Sequence, residues 1–246
     1  MIDIERKKIL ILIPTYNESE NVSKMYRTII NLNLNAAMLF IDDNSPDGTG
    51  EILESFGQQD ENVFIIHRER RQGVGSAHLL GIKYAYTKGY DILITMDCDF
   101  THEPKYILDF LQNSVGFDLV VGSRFTMKDS LSEWSILRKF LTFLGHLATR
   151  IFLNIPYDAT GAFRLYKLRN IPPAIFDIIK STSYSFFIES LYGLYLNGIK
   201  IKEIPIYLPK RTYGHSKMRI SDIFYSIYML IKIRFLSKRY IINRQK

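Results

Sequence analysis

One cysteine, Cys98, stands in a chain of 246 residues, so no internal disulfide can form and no thiolate zinc site can be built. Uninterrupted apolar runs are short. None reaches the roughly 18 uncharged residues of a membrane-spanning helix, so no such helix is expected. Fourteen glycines and eight prolines are too few for a collagen-like or low-complexity chain. The opening segment MIDIERKKILILIP sets acids before its bases, and its apolar stretch ends at Pro14. It reads as a strand, not as a secretory leader. What is present is 47% hydrophobic and 23% charged residues, the composition of a soluble globular chain able to bury its own core.

Acidic residues are scarce in one half only. Residues 1–123 hold 11 Lys+Arg and 18 Asp+Glu, whereas residues 124–246 hold 21 and 7. The formal net charge of +7 therefore hides −7 followed by +14. An acidic half can hold a metal. A basic half can hold phosphates, an anionic lipid surface or nucleic acid.

The first half alternates short apolar runs with helical spacing. Strands are expected at 8–13, 37–41, 63–66, 91–96 and 117–121, and helices at 19–32, 47–56, 73–87 and 104–113. This alternation predicts an α/β architecture with a mostly parallel central sheet and helices on both faces. The second half is less regular. It has a long aromatic and basic stretch at 131–153, helices at 171–179 and 186–197, and a strand in two pieces around Pro205 over 199–208. A final apolar helix spans 220–236, and only bases follow Ile231 among the charged residues. Without a repeat or a linker, the chain reads as one domain over 1–219 with a basic, apolar C-terminal segment over 220–246.

Parallel sheets bind ligands beyond the carboxyl ends of their strands. Here those ends carry Pro14–Glu18, Asp42-Asp43, His67-Arg68 and Asp97-Cys98-Asp99. In extended chain, residues i and i+2 point to the same side. Asp97 and Asp99 would then offer two hard oxygens to a divalent cation such as Mg2+ or Mn2+, which also binds phosphates. Cys98, between them, points into the core. Gly73 and Gly75 do not follow the first strand, so they are read as a tight turn with close helix packing and not as a dinucleotide fingerprint.

Eight blocks occur in order: Pro14–Glu18 (PTYNE), Asp42–Thr49 (DDNSPDGT), Gly73–Ala77 (GVGSA), Met96–Pro104 (MDCDFTHEP), Gly122–Arg124 (GSR), Asp158–Arg164 (DATGAFR), Phe186–Glu189 (FFIE) and Glu203–Met218 (EIPIYLPKRTYGHSKM). Together they resemble glycosyltransferase family two, and most closely its polyprenyl-phosphate mannosyltransferases (dolichol-phosphate mannose synthase type). The resemblance covers about residues 8–220. It implies a GT-A (Rossmann-like nucleotide-diphospho-sugar transferase) fold, a nucleotide-sugar donor (GDP-mannose in the closest members), a divalent metal, a polyprenyl phosphate acceptor and inversion at the anomeric carbon. By resemblance, Pro14, Tyr16, Glu18, Ile41 and Asp43 line the nucleoside pocket, with the Cys98 backbone beside the donor. Asp97, Asp99 and Thr101 hold the metal, Thr101 standing where the family often has Ser or Gln. Arg124, Arg211 and Lys217 surround the phosphates and, with Asp99, form the expected catalytic set. Asp42 holds its turn, and Glu189 orients the sugar or a basic side chain. The chain departs from the family pattern with DCD for DAD, TGAFR for TSGFR and FFIE for FQ-(I/V)-E. The last two departures fall where sugar or acceptor contacts are expected.

The implied acceptor is already an anion near neutral pH, so none of the five histidines need act as a strong base. A polyprenyl phosphate resides in a bilayer. The 220–236 helix would be about 25 Å long, short of the roughly 30 Å hydrocarbon core, and Asp222, Lys232 and Arg234 interrupt it. Peripheral attachment at a cytoplasmic membrane face is expected, through this helix or the 131–153 stretch with Trp134, and a membrane partner subunit would fit the same need. Three alternatives stay open: a UDP-sugar donor or glycan acceptor, a basic nucleic-acid-binding protein, and an inactive membrane scaffold. The acidic strand ends and the lack of an RNP or zinc pattern oppose nucleic acid. The intact Asp97 and Asp99 oppose a scaffold.

Overall fold

A computed structural model describes residues 7–209 and 220–242. The apolar runs of the first half form β1 (Ile9–Thr15), β2 (Ala36–Asp42), β3 (Val63–His67) and β4 (Ile92–Thr95). Between them lie α1 (Ser19–Ile30), α2 (Thr49–Gln59) and α3 (Val74–Thr87). Then come α4 (Tyr106–Asn113), β5 (Leu119–Ser123), α5 (Ile136–Leu153), β6 (Arg164–Lys167), α6 (Ala174–Asp177), α7 (Ser185–Leu196), β7 (Ile201–Pro205) and α8 (Ile220–Phe235). The strands make one sheet in the order β3-β2-β1-β4-β6-β5-β7. Every pairing is parallel except those of β6, which runs antiparallel to both β4 and β5.

The runs are apolar throughout because both sheet faces are covered. Leu10, Leu12, Leu39 and Ile41 share one core layer with Ala77 and Ile82 of α3 and with α7. Ile9, Ile11, Ile13, Met38 and Phe40 share the other with Val22 and Met25 of α1 and with α4. Each such side chain, fully buried, contributes about 1.5–3 kcal/mol. Register then sets the site: Pro14 lies opposite Ile41, Thr15 opposite Asp42, and Asp42 opposite His67. The carboxyl ends of three adjacent strands finish level.

The second half departs from expectation in three places. β6 was not expected as a strand, because it opens on an arginine. Pro172 and Pro173 hold off the helix expected at 171–179, leaving the single turn of α6. Of the 199–208 strand only β7 remains, ending at Pro205. Beyond it Ile206 and Leu208 still donate their N–H groups to Ser123 O and Ser130 O, at 3.1 and 3.0 Å. The C-terminal helix α8 packs on α5 and α7 and buries Met229, Leu230 and Ile233.

The glycine pair at 73 and 75 makes the expected turn and close approach. Gly73 has φ +94°, and a Cβ on Gly75 would lie 2.6 Å from Phe186 Cβ and 2.8 Å from the Thr182 carbonyl carbon. Ser76 N–H donates to Thr182 O across this contact, at 3.1 Å. Gly75→Ala is therefore expected to cost about 1–3 kcal/mol by overpacking. A melting-temperature drop of about 2–12 °C would register it.

Candidate active site

The β2 end carries two aspartates with different tasks. Asp42 holds the turn. Its Oδ1 accepts the Thr15 hydroxyl at 3.0 Å and the Ser45 hydroxyl at 2.5 Å, and its Oδ2 accepts Ser45 N–H at 2.9 Å. Asp43 is buried and ion-paired with buried Arg68. Burial raises the Asp43 pKa, and Arg68 opposes this. Arg68 also donates to Ser76 Oγ (2.6 Å) and Gly73 O (3.2 Å), which ties the glycine turn to the β2 end. On the β1 side, the half-buried Tyr16 ring lies 4.7 Å from the Arg71 guanidinium. Glu18 accepts Asn21 Nδ2 at 2.7 Å, and its N–H donates to Thr49 Oγ1 at 2.9 Å.

The Asp97–Thr101 segment is not extended chain. β4 stops at Thr95, and Phe100 takes φ +62°, so the carboxylates sit on a bend beyond the strand. Asp99 is 3% exposed, and its Oδ1 accepts both the N–H (3.1 Å) and the hydroxyl (2.6 Å) of Thr101. The Asp97 side chain is 37% exposed. Its backbone N–H donates to Nδ1 of buried His102 at 3.0 Å, so a neutral His102 carries its proton on Nε2. Cys98 is buried in the core as expected. Among the described residues no group of three or more His, Cys, Asp or Glu is arranged to hold a metal. Two hard carboxylates at a ligand-binding edge still fit Mg2+ or Mn2+, which take their other ligands from water and substrate phosphates.

Arg124, at the end of β5, is held from the sheet side. Its backbone N–H and its Nε donate to Asp158 Oδ2 at 3.3 and 2.8 Å. Asp158 is fully buried, and its own N–H donates to Glu203 Oε1 at 2.5 Å. Burial alone would raise the Asp158 pKa. Arg124, with hydrogen bonds from Arg124 and Thr160, more than offsets burial and lowers it. A lowered carboxylate stabilises the fold above its usual titration range and loses that contribution as pH falls through the folded value. Glu203 and Asp43, raised chiefly by burial, act in the opposite sense. Asp158→Asn should thus melt lower at neutral pH and lose less on acidification from about pH 5 to pH 3 than the unaltered chain. Melting temperature against pH measures both.

The matching family model, glycosyl transferase family 2, covers residues 10–172. This chain belongs to glycosyl transferase family 2. An undecaprenyl-phosphate mannosyltransferase of Micrococcus luteus is 32% identical over 212 residues, 86% of this chain and 87% of that protein. A polyprenol monophosphomannose synthase of Mycolicibacterium smegmatis is 30% identical over 220 residues, 88% and 83% of the two chains. Among solved structures, a glucosyl-3-phosphoglycerate synthase of Mycobacterium tuberculosis with Mn2+, uridine diphosphate and phosphoglyceric acid superposes with TM-score 0.61 at 16% identity, covering 98% of this chain and 81% of that one. A Pyrobaculum calidifontis mannosyltransferase with GDP-Man and Mn2+ gives 0.53 at 13%, covering 95% and 64%. These structures share the GT-A fold with the family 2 chain.

Most residues expected to serve the family 2 reaction gather at one edge of the sheet. Pro14, Tyr16, Glu18 and Asp43 lie around the β1 and β2 ends, and Asp97, Asp99 and Thr101 beyond β4. Ile41 differs: its side chain is fully buried in the core layer, so only its backbone can face a nucleoside. Glu189 differs too. It is buried, and it accepts Ser181 N–H at 2.8 Å and the Tyr240 hydroxyl at 2.7 Å, which fastens the C-terminal segment to α7. Arg211 and Lys217 lie outside the described residues. Arg68 was noted from sequence only as a strand-end residue, without a role, and His102, Asp158 and Glu203 were not singled out. All but Arg68 stand inside the quoted motif blocks, which was their only signal.

Proposed function

We propose that this family 2 glycosyltransferase moves mannose from GDP-mannose onto a polyprenyl phosphate with inversion. The observation that carries this reading is the match at 30–32% identity, across more than four-fifths of both chains, to two proteins named for mannosyl transfer to such acceptors. A phosphate oxygen of the acceptor forms the bond to the anomeric carbon as the bond to the nucleoside diphosphate breaks. The acceptor arrives as an anion, so the main demand is charge stabilisation, not proton removal. Asp97 and Asp99 would hold Mg2+ or Mn2+, with Thr101 fixing Asp99. The metal would act as Lewis acid and template for the leaving diphosphate. Arg124, fixed by Asp158, together with Arg211 and Lys217 would supply preorganised positive charge around the phosphates. The nucleoside would sit against Pro14, Tyr16, Glu18 and Asp43, beside the Cys98 backbone.

A transfer assay tests the reading. The full chain is incubated with polyprenyl phosphate, Mg2+ or Mn2+, and labelled GDP-mannose or UDP-glucose in parallel. Metal-dependent label in the organic phase from GDP-mannose alone is the expected result. Label from UDP-glucose alone would replace the donor, and label from neither would overturn the reading.

The acceptor requires a membrane contact. No helix among the described residues is long and apolar enough to cross a bilayer. The neighbouring helices α5 and α8 expose Ile136, Leu137, Phe140, Phe143, Ile227 and Phe235. The same two helices carry Lys139, Arg150 and Lys232, the last two exposed. An apolar face with basic residues suits peripheral docking to an anionic bilayer. Changing Phe140 and Phe143 together to Asp should weaken binding to anionic vesicles at least about tenfold, from the apolar burial lost. Salt should weaken binding of the unaltered chain. Vesicle sedimentation measures both effects.

A further inference from the structure

Helix α5 turns most of its apolar side chains outward and buries only His146, Thr149 and Leu153. An imidazole is an unexpected choice for one of those three places. Its Nδ1 has no hydrogen-bond partner among the described residues. Burial, the leading cause, lowers its pKa; nearby Asp158 opposes this, while Arg150 and Arg124 add to it. Burial and the two arginines together favour the neutral ring. A leucine would fill the space without an orphaned nitrogen. What the imidazole supplies instead is a flat face. It lies on Phe125, with ring centroids 3.9 Å apart and planes 17° from parallel.

Phe125 directly follows Arg124, and the Arg124 guanidinium carbon lies 5.9 Å from the Phe125 ring centre. Arg124 is thereby held on two sides. Asp158 takes its Nε and backbone N–H from the sheet side. The Phe125–His146 stack closes the other side and is anchored on α5. We propose that His146 is a positioning residue for Arg124: by stacking flat on Phe125 it fixes the backbone and ring that aim the guanidinium at the phosphates. This rests on the proposed reaction, and it adds a link between that reaction and the helix that carries the exposed apolar face.

The test uses the full chain and a short-chain, water-soluble polyprenyl phosphate, so that bilayer docking does not enter the rate. His146→Ala removes the flat face, and His146→Phe keeps it without an imidazole. His146→Ala is expected to lower kcat about 10- to 100-fold, the scale of a small misplacement of a catalytic group, with donor KM rising no more than about fivefold. His146→Phe is expected to restore most of that kcat. Phe125→Leu should match His146→Ala, and the two together should lose little more than either alone, because they break the same contact. Vesicle binding should be unchanged in all of them. Unchanged kcat in His146→Ala would overturn the proposal, as would a His146→Phe chain that melts normally yet is as slow as His146→Ala. If the unaltered chain transfers nothing, the reaction assignment fails instead. The variants are then judged by calorimetric affinity for GDP with Mn2+, which His146→Ala should weaken about fivefold and His146→Phe restore.

Discussion

Asp99→Ala should abolish metal-dependent transfer, lowering kcat by about 10³-fold or more. The magnitude follows from what the carboxylate is asked to do. A divalent cation at a departing diphosphate supplies several kcal/mol of charge stabilisation, and each 1.36 kcal/mol is a factor of ten in rate. Among the described residues no group of three or more His, Cys, Asp or Glu is arranged to hold a metal, although His102 Nδ1 lies 3.6 Å from Asp97 Oδ2. Losing one of two protein oxygens therefore has no ready substitute among the described residues. The buried position of Asp99 sharpens the expectation, because its Oδ1 is fixed by the N–H and hydroxyl of Thr101. Thr101→Val keeps the carboxylate and removes one of those anchors. It should cost only about tenfold, near the worth of one hydrogen bond to a charged group, and excess Mn2+ should recover part of it. Excess metal should not recover Asp99→Ala. Rates against metal concentration for the two variants make the comparison. Equal loss in both would mean that Thr101 is itself a ligand; a normal rate in Asp99→Ala would remove the acidic bend from the mechanism.

The first half of the fold was legible because its physics is local. A run such as Lys8–Ile13 must be covered on both faces, and aspartates at strand ends announce the ligand edge. The bend at Asp97–Thr101 was misread as extended chain because β4 stops at Thr95 and the chain already bends at Cys98, while the apolar run continues to Met96; phenylalanine likewise gives no warning of the positive φ at Phe100 that follows. Ile41 was assigned to the nucleoside pocket by resemblance, just ahead of the Asp42–Thr49 block, but strand alternation sends its side chain to the core. The β5–β6–β7 side was less legible, since its partners are distant in sequence. Arg124 meets Asp158 across 34 residues, and Asp158 meets Glu203 across 45. No periodicity within a window reports such pairs. The departure TGAFR becomes intelligible only in three dimensions. A Cβ at Gly161 would approach Gly122 O at 3.3 Å and Arg124 Nη2 at 3.4 Å, so the glycine leaves room around Arg124.

Arg164→Ala should destabilise the protein by about 4 kcal/mol or more, because Arg164 is a fully buried cation that opens strand β6. Among the described residues no carboxylate pairs with it. Its guanidinium instead donates to Gly161 O (2.9 Å), Ala159 O (3.0 Å), Phe187 O (2.8 Å) and Ser190 Oγ (3.0 Å). A charge taken out of water without such acceptors would cost several kcal/mol, so the strand can open on arginine only because the 159–161 loop and α7 present oxygens to it. Truncation reverses the problem: those buried oxygens lose their donor, each worth about 1–3 kcal/mol when left unsatisfied, and a cavity opens. For a chain of this size, about 4 kcal/mol is a melting-temperature drop of about 8–16 °C. Arg164→Met separates the two causes, since it refills the volume and leaves the oxygens unpaired. If unpaired oxygens dominate, Met should recover less than half of the loss. If Met recovers nearly all of it, the guanidinium hydrogen bonds matter little and packing alone places β6. The same loop carries Asp158, so whatever Arg164→Met remains folded should also transfer more slowly, as Arg124 loses a fixed partner.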